Sequence, residues 1–232
     1  EFRRVLFRSK DKSSLKKDSY SHNSSFYGER ELLIYKKRLG HIRLTWCKQI
    51  LEIIKGIKFN IKSINDLGCN YFQLYKEIKL QKLKYKYYGY DADEKFLELG
   101  LKKFPELKKN SWNVNVENFT LKKTDCTIAS AILEHCDKPQ KIFKNIFQST
   151  KKIIILRTNL DNKENNFILK KKGRKLNYRV FAFKDILRLF RKNNFTPLIL
   201  LDEATNYSKS KKKIFKNEYR AMYIVLGLKN EI

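Results

Sequence analysis

Apolar positions in this 232-residue chain alternate between two periods. Short apolar runs that fit strands take turns with stretches whose apolar residues recur every three or four positions, as on one helix face. Ile64 and Leu67 mark a first strand, and Tyr71, Leu74, Tyr75 and Ile78 begin a helix that runs to about Lys82. Lys84 to Asp91 reads as a second strand ending in an acid. Asp93 then suits the N-cap of a helix carrying Leu97, Leu101 and Phe104, with Pro105 after its end. A third strand is expected at Trp112–Val116 and a fourth at Asp125–Ser130. Asp137, with Gln140 three residues on, predicts a capping box for a helix that buries Phe143, Ile146 and Phe147. Lys152 to Leu156 is a fifth strand, continuous enough in its apolar residues to be central and covered on both faces. Arg157 to Tyr178 has no period and reads as an irregular, basic segment. A helix from about Phe183 turns Ile186, Leu187 and Phe190 inward, and Pro197–Leu201 is a sixth strand. Glu203 to Asn217 is polar and reads as a mobile loop before a last strand at Ala221–Leu226. Ahead of all this, Leu44, Cys47, Leu51 and Ile54 share a face in a helical preface over residues 29–60, with Gly56 as its stop. The alternation predicts one doubly wound α/β domain over residues 29–232.

Composition narrows the setting. With 42% hydrophobic residues the chain can build a real core. No apolar run approaches the roughly 20 residues of a membrane helix, and no apolar stretch at the start resembles a secretory leader. Cys47, Cys69, Cys126 and Cys136 show neither C-x-x-C pairing nor metal-ligand spacing, which predicts reduced thiols, a cytoplasmic location and no bound metal. The formal net charge of +28 would suit a polyanion, but the lysines are spread along the chain rather than clustered. Nucleic acid is therefore a partner to keep open and not the favoured one. Arg3 to Ser9 resemble the translation of a short-read sequencing adapter, so residues 1–9 are set aside and 10–28 read as a mobile tail.

The candidate chemistry centres on Ser63 to Phe72. Gly68 accepts a positive φ without steric cost, and Asn70 is among the few other residues that tolerate one. A strand, tight turn and helix of this kind put backbone N–H groups and a helix N-terminus at the carboxyl edge of a sheet, where small ligands bind. Asp91 stands 25 residues after Asp66. That is close to the interval of roughly 20 between a glycine loop and a ribose-binding acid.

With these residues in view, the chain resembles the class I S-adenosylmethionine-dependent methyltransferases over about residues 60–228. Asp66-Leu67-Gly68-Cys69-Asn70 is similar to that family's first motif, and Tyr88 to Asp93 to its second. Asn115 to Phe119 sits where an acid–apolar pair often flanks the adenine, and Asp125 to His135 is similar to the fourth-strand motif. The resemblance implies a Rossmann-like, seven-stranded, mostly parallel sheet with its last strand antiparallel, plus N-terminal helices. It implies S-adenosylmethionine as cofactor. Asp66, Gly68, Cys69 and Asn70 would take the aminoacyl end, through backbone amides and the Asp66 carboxylate. Asp91 and Ala92 would take the ribose, Asn115 and Val116 the adenine, and Ser130 would also bind the cofactor. Tyr27, Arg30, His41 and Arg43 of the preface could reach the cofactor or stay at the surface. His135 is the residue near strand four that exchanges a proton near neutral pH, which fits a base toward a hydroxyl acceptor or a structural helix-entry histidine; Glu134 is the weaker candidate. Nothing in the chain matches the Asn/Asp-Pro-Pro-aromatic motif of amino-directed nucleic-acid enzymes, and no proline precedes a cysteine. The expectation is O- or N-methylation of a small molecule or sugar, with surface-glycan biosynthesis as a setting. Arg157 and the basic run after it would form an acceptor wall suited to an anionic precursor. RNA methylation and a non-catalytic nucleotide-binding module are the alternatives. One departure matters: Asn70 and Phe72 stand where the family has its second and third glycines.

Overall fold

The computed structural model describes residues 33, 36–40, 42–171, 174–206, 213–215, 218, 219 and 222–230. The segments read above as adapter and tail lie outside them, as do Tyr27, Arg30 and His41. Helix α1 (Thr45–Gly56) is followed by β1 (Ser63–Leu67), α2 (Gln73–Leu80), β2 (Lys86–Asp91) and α3 (Glu94–Lys103). A 3-10 turn at Pro105–Asn110 leads to β3 (Ser111–Asn113), then β4 (Thr124–Ser130) and a second 3-10 turn, Leu133–His135. Next come α4 (Pro139–Ser149), β5 (Thr150–Asp161), β6 (Asn165–Lys171), β7 (Arg174–Ala182), α5 (Phe183–Lys192), β8 (Phe195–Leu201), α6 (Glu203–Asn206), β9 (Lys213–Phe215), β10 (Glu218–Tyr219) and β11 (Met222–Lys229).

The main path of the sheet runs β3-β2-β1-β4-β5-β11-β8. β1 pairs in parallel with β2 and β4, and β4 with β5, while β11 lies antiparallel between β5 and β8. This is the expected seven-stranded, doubly wound sheet with its last strand reversed. β5 shows why it reads as central: Ile153 and Ile155 belong to one core cluster and Ile154 and Leu156 to the other, all fully buried. The first cluster is closed by α1, α2 and α3, through Ile50, Leu51, Leu74, Ile78 and Phe96. α4 and α5 close the second with Ile142, Phe143, Ile146, Ile186 and Phe190. No helix among the described residues is long and apolar enough to cross a membrane.

Four expectations change. Arg157–Tyr178 is not irregular. β5 continues to Asp161, and β6 and β7 form an antiparallel hairpin in register from Asn165↔Val180 to Lys171↔Arg174, tied back to β5 at Leu160↔Phe181. The hairpin adds two strands beside the seven of the main path. The only alternation in its sequence, Leu176 to Val180, is short and follows a lysine-rich run, so no sustained period announces the hairpin. Glu203–Asn217 likewise contains α6, and β9 pairs with β10. The third strand's ladder stops at Asn113, because Asn115 begins a turn in which its side chain accepts from the Glu117 amide. Asp137 does not cap α4. Pro139 occupies the first turn, Lys138 is the N-cap, and the amides of Asp137 and Lys138 donate to Glu117 Oε1.

Glu117 yields a test of this joint. Its carboxyl is 5% exposed, and burial pushes its pKa up against the lowering effect of the two amides. A carboxyl raised in the folded state is neutral at low pH and opposes folding as pH rises past its unfolded value. Glu117→Gln keeps the accepting oxygen and removes the charge. Thermal melts should show the variant more stable than the parent at pH 8, with the gap closing near pH 4.

Candidate active site at the carboxyl edge of the sheet

The loop after β1 is built on alternate left-handed residues: Gly68 at φ 68°, Asn70 at φ 56° and Phe72 at φ 62°. The backbone path of a three-glycine loop is thus kept with one glycine. The Asn70 side chain supports it by accepting from the Tyr71 amide at 3.0 Å. Phe72 turns its ring away from the edge and into the core, where it is fully buried. Two other glycines make room for it. A Cβ on Gly89 would stand 2.9 Å from the ring, and one on Gly100 2.6 Å. The bulky replacement therefore leaves the ligand side of the loop unobstructed.

Every amide of this loop is engaged. Gly68 and Cys69 both donate to Tyr90 O, at 2.7 and 3.0 Å, and Phe72 donates to Cys69 O. Asn70 donates to Asp91 Oδ2 at 2.6 Å. The expected amide cradle around Gly68 is thus committed to the fold, leaving carbonyl oxygens and neighbouring side chains to meet a ligand. Asp66 is buried and accepts from Tyr87 Oη at 2.5 Å, which ties β1 to β2. Asp91 ends β2. Its Oδ1 accepts from the Asp93 amide at 2.9 Å, so the carboxylate ties the loop to the entry of α3. Ala92 beside it is buried.

At the end of β3 the Asn115 amide is oriented by its own bond: Oδ1 accepts from Glu117 N at 2.8 Å. Its Nδ2 is buried and has no partner among the described residues. Val116 packs next to it, 2% exposed. An orphaned donor here, a two-amide carboxylate at Asp91 and an unblocked loop fit a ribosyl adenine lying across β1, β2 and β3. Ser130 closes β4, opposite Arg157 in register. His135 is fully buried, its ring 5.7 Å from that of Tyr178 on β7. The inserted hairpin thus covers the end of β4. Glu134 accepts from Thr158 Oγ1 at 3.3 Å and Asn159 Nδ2 at 3.5 Å.

A second polar group lies farther along the edge. Arg157 is 2% exposed and grips Asp202 through Nε and Nη2 at 2.8 and 3.0 Å. Thr205 Oγ1 donates to the same carboxylate. The guanidinium carbon lies 5.8 Å from the Trp46 ring. Arg157 Nη1, Trp46 Nε1 and Asn159 Oδ1 are all buried without partners among the described residues. So are both amide atoms of Gln73, at the start of α2. Trp46, Gln73, Asn159 and Asp202 escape sequence reading, because a lone polar residue carries no spacing signal. Arg43, considered for the cofactor, pairs with Glu77 on α2, and this bond raises the pKa of Arg43. Among the described residues no group of His, Cys, Asp and Glu could hold a metal.

A family model described as a methyltransferase domain matches residues 65–155, from within β1 to the middle of β5. No curated protein matches the chain. Solved structures do. An S-adenosylmethionine-dependent methyltransferase from Clostridium acetobutylicum ATCC 824 superposes with a TM-score of 0.62 at 16% identity, over 87% of this chain and 98% of that one. Magnesium protoporphyrin IX methyltransferase from Synechocystis PCC 6803, with bound SAM, gives 0.55 at 14% identity, over 89% and 94%. The glycopeptide N-methyltransferase MtfA, complexed with S-adenosyl-L-homocysteine, gives 0.54 at 8% identity, over 79% and 87%. Motif order, sheet order and family match agree: residues 65–155 match a methyltransferase-domain model, and the chain has the class I, Rossmann-like fold of the S-adenosylmethionine-dependent methyltransferases.

Proposed function

We propose that the chain moves a methyl group from S-adenosylmethionine to a hydroxyl of a small-molecule or sugar acceptor. The observation that carries this is Asp91, a buried carboxylate that ends β2, fixes the loop through Asn70 and stands where the ribose hydroxyls of the cofactor would be received. Asn115 Nδ2 would donate to a ring nitrogen of the adenine. Its oxygen, occupied by Glu117, suits the exocyclic amine less well. Ala92 and Val116 supply apolar walls, Ser130 bounds the edge, and Asp66 with the carbonyls of Gly68, Cys69 and Asn70 borders the methionine arm. The bound cofactor supplies a methyl carbon made electrophilic by its sulfonium. The protein's part is to align the acceptor, keep water out and receive a proton. His135, whose ring lies 5.7 Å from that of Tyr178, would take the hydroxyl proton of the bound acceptor.

The acceptor would lie against Trp46, Arg157 and Asn159. Asp202 already balances the Arg157 charge, so an uncharged sugar hydroxyl enters this wall with less desolvation than a phosphate. Surface-glycan biosynthesis in the cytoplasm fits that chemistry, and the four buried free cysteines fit that compartment. Calorimetric titration tests the cofactor: S-adenosylmethionine should bind and NAD should not. NAD binding with no response to S-adenosylmethionine would overturn the reading. A second reading, RNA methylation, rests on the exposed Lys184, Arg188, Arg191 and Lys192 of α5. RNA binding that weakens steeply with salt, with methyl transfer to that RNA, would favour it.

A further inference from the structure

Gln73 is the first residue of α2, directly after the left-handed Phe72, and is 4% exposed. Neither Oε1 nor Nε2 meets a partner among the described residues. Burying a whole carboxamide without a bond opposes folding, so a chain that keeps one there has a use for it or a different neighbour in its loaded state. The next residues on the same helix face show where Gln73 looks. Lys76 Nζ donates to the carbonyls of Arg38 and Ile42, both at 2.8 Å, and Glu77 accepts from Arg43 Nε at 3.1 Å. Helical side chains lean toward the helix N-terminus. Gln73 therefore leans one turn nearer the carboxyl edge, between the loop and the segment that precedes α1.

We propose that the Gln73 carboxamide receives the aminoacyl end of the cofactor, with Oε1 accepting from the ammonium and Nε2 donating to the carboxylate. This rests on the S-adenosylmethionine reading. The aminoacyl group presents a donor and an acceptor on one carbon, and a carboxamide presents their complements on one carbon. The five loop amides cannot supply the donors, because Tyr90, Asp91, Asn70 and Cys69 already hold them.

The test compares S-adenosylhomocysteine with 5′-methylthioadenosine, which keeps adenine, ribose and thioether but lacks the aminoacyl end. Calorimetry on Gln73→Leu should show about a tenfold or greater loss for S-adenosylhomocysteine, the scale of bonds to charged groups. 5′-Methylthioadenosine should bind as it does to the parent. Gln73→Leu removes two unsatisfied groups at similar volume, so its melting temperature should not fall; Gln73→Met repeats the test with another apolar chain. Equal losses for both ligands, or none for either, would overturn the role of Gln73. A parent protein that binds neither ligand overturns the cofactor reading itself, an outcome visible before any variant is made.

Discussion

Phe72→Gly is expected to destabilise the fold by a net of roughly 2–4 kcal/mol in equilibrium denaturation. Emptying a fully buried phenylalanine site costs about 3–5 kcal/mol. Glycine at φ 62° returns about 1 kcal/mol of left-handed strain. The partner substitution makes the test specific. In Gly89→Ala the new Cβ would meet the Phe72 ring at 2.9 Å and Cys69 Sγ at 3.0 Å, an overpacking cost of about 1–3 kcal/mol. With the ring gone only the Cys69 Sγ contact at 3.0 Å remains, and that side chain can shift into the vacated space. Gly89→Ala should then cost clearly less in the Phe72→Gly background than in the parent. Gly100→Ala is the poorer probe, because its Cβ would also stand 2.9 Å from the backbone Cα of Tyr71. Strict additivity of Phe72→Gly and Gly89→Ala would show that ring and glycine do not share one space.

The same pair shows how far sequence carries. The loop, its strand and helix, and the acid ending β2 are legible because their roles impose residue types at fixed intervals. The direction of Phe72 is not, since a phenylalanine in place of a glycine reads as an obstruction until Gly89 and Gly100 are seen against its ring. Arg157 stands out in sequence, but its partner Asp202 lies 45 residues on and meets it only where β8 ends beyond β11. Gln73 reads as an ordinary polar helix residue, because burial of a single amide leaves no period. The β6–β7 hairpin is hard to see for a related reason: its alternation is confined to Leu176–Val180, and its lysine-rich flank carries no period although it pairs in register. Asp137 misleads in the opposite way. It has the capping-box spacing, but Pro139 sets the helix start and Glu117 claims the Asp137 amide.

Asp91→Asn is expected to weaken S-adenosylhomocysteine binding at least about 100-fold, equivalent to roughly 2.7 kcal/mol. The two oxygens of Asp91 accept from Asn70 N at 2.6 Å and Asp93 N at 2.9 Å. A carboxamide keeps one of these and sets an NH2 group against the other amide, donor facing donor. A hydrogen bond to a charged group contributes about 1.5–3 kcal/mol, and the buried amide left behind adds its own cost. If the lost bond is that to Asn70, the loop loses its hold at the second left-handed residue. If it is that to Asp93, the entry to α3 loosens. Either way the ribose hydroxyls face one acceptor where the carboxylate offers two. Asp91→Glu keeps the charge but lengthens the reach, so it should recover only part of the affinity. Melting temperature and affinity, measured on the same variants, separate scaffold from ligand contact. A fall in stability with affinity unchanged would confine Asp91 to shaping the loop. Affinity lost well beyond what the destabilisation accounts for would place its carboxylate against the ribose.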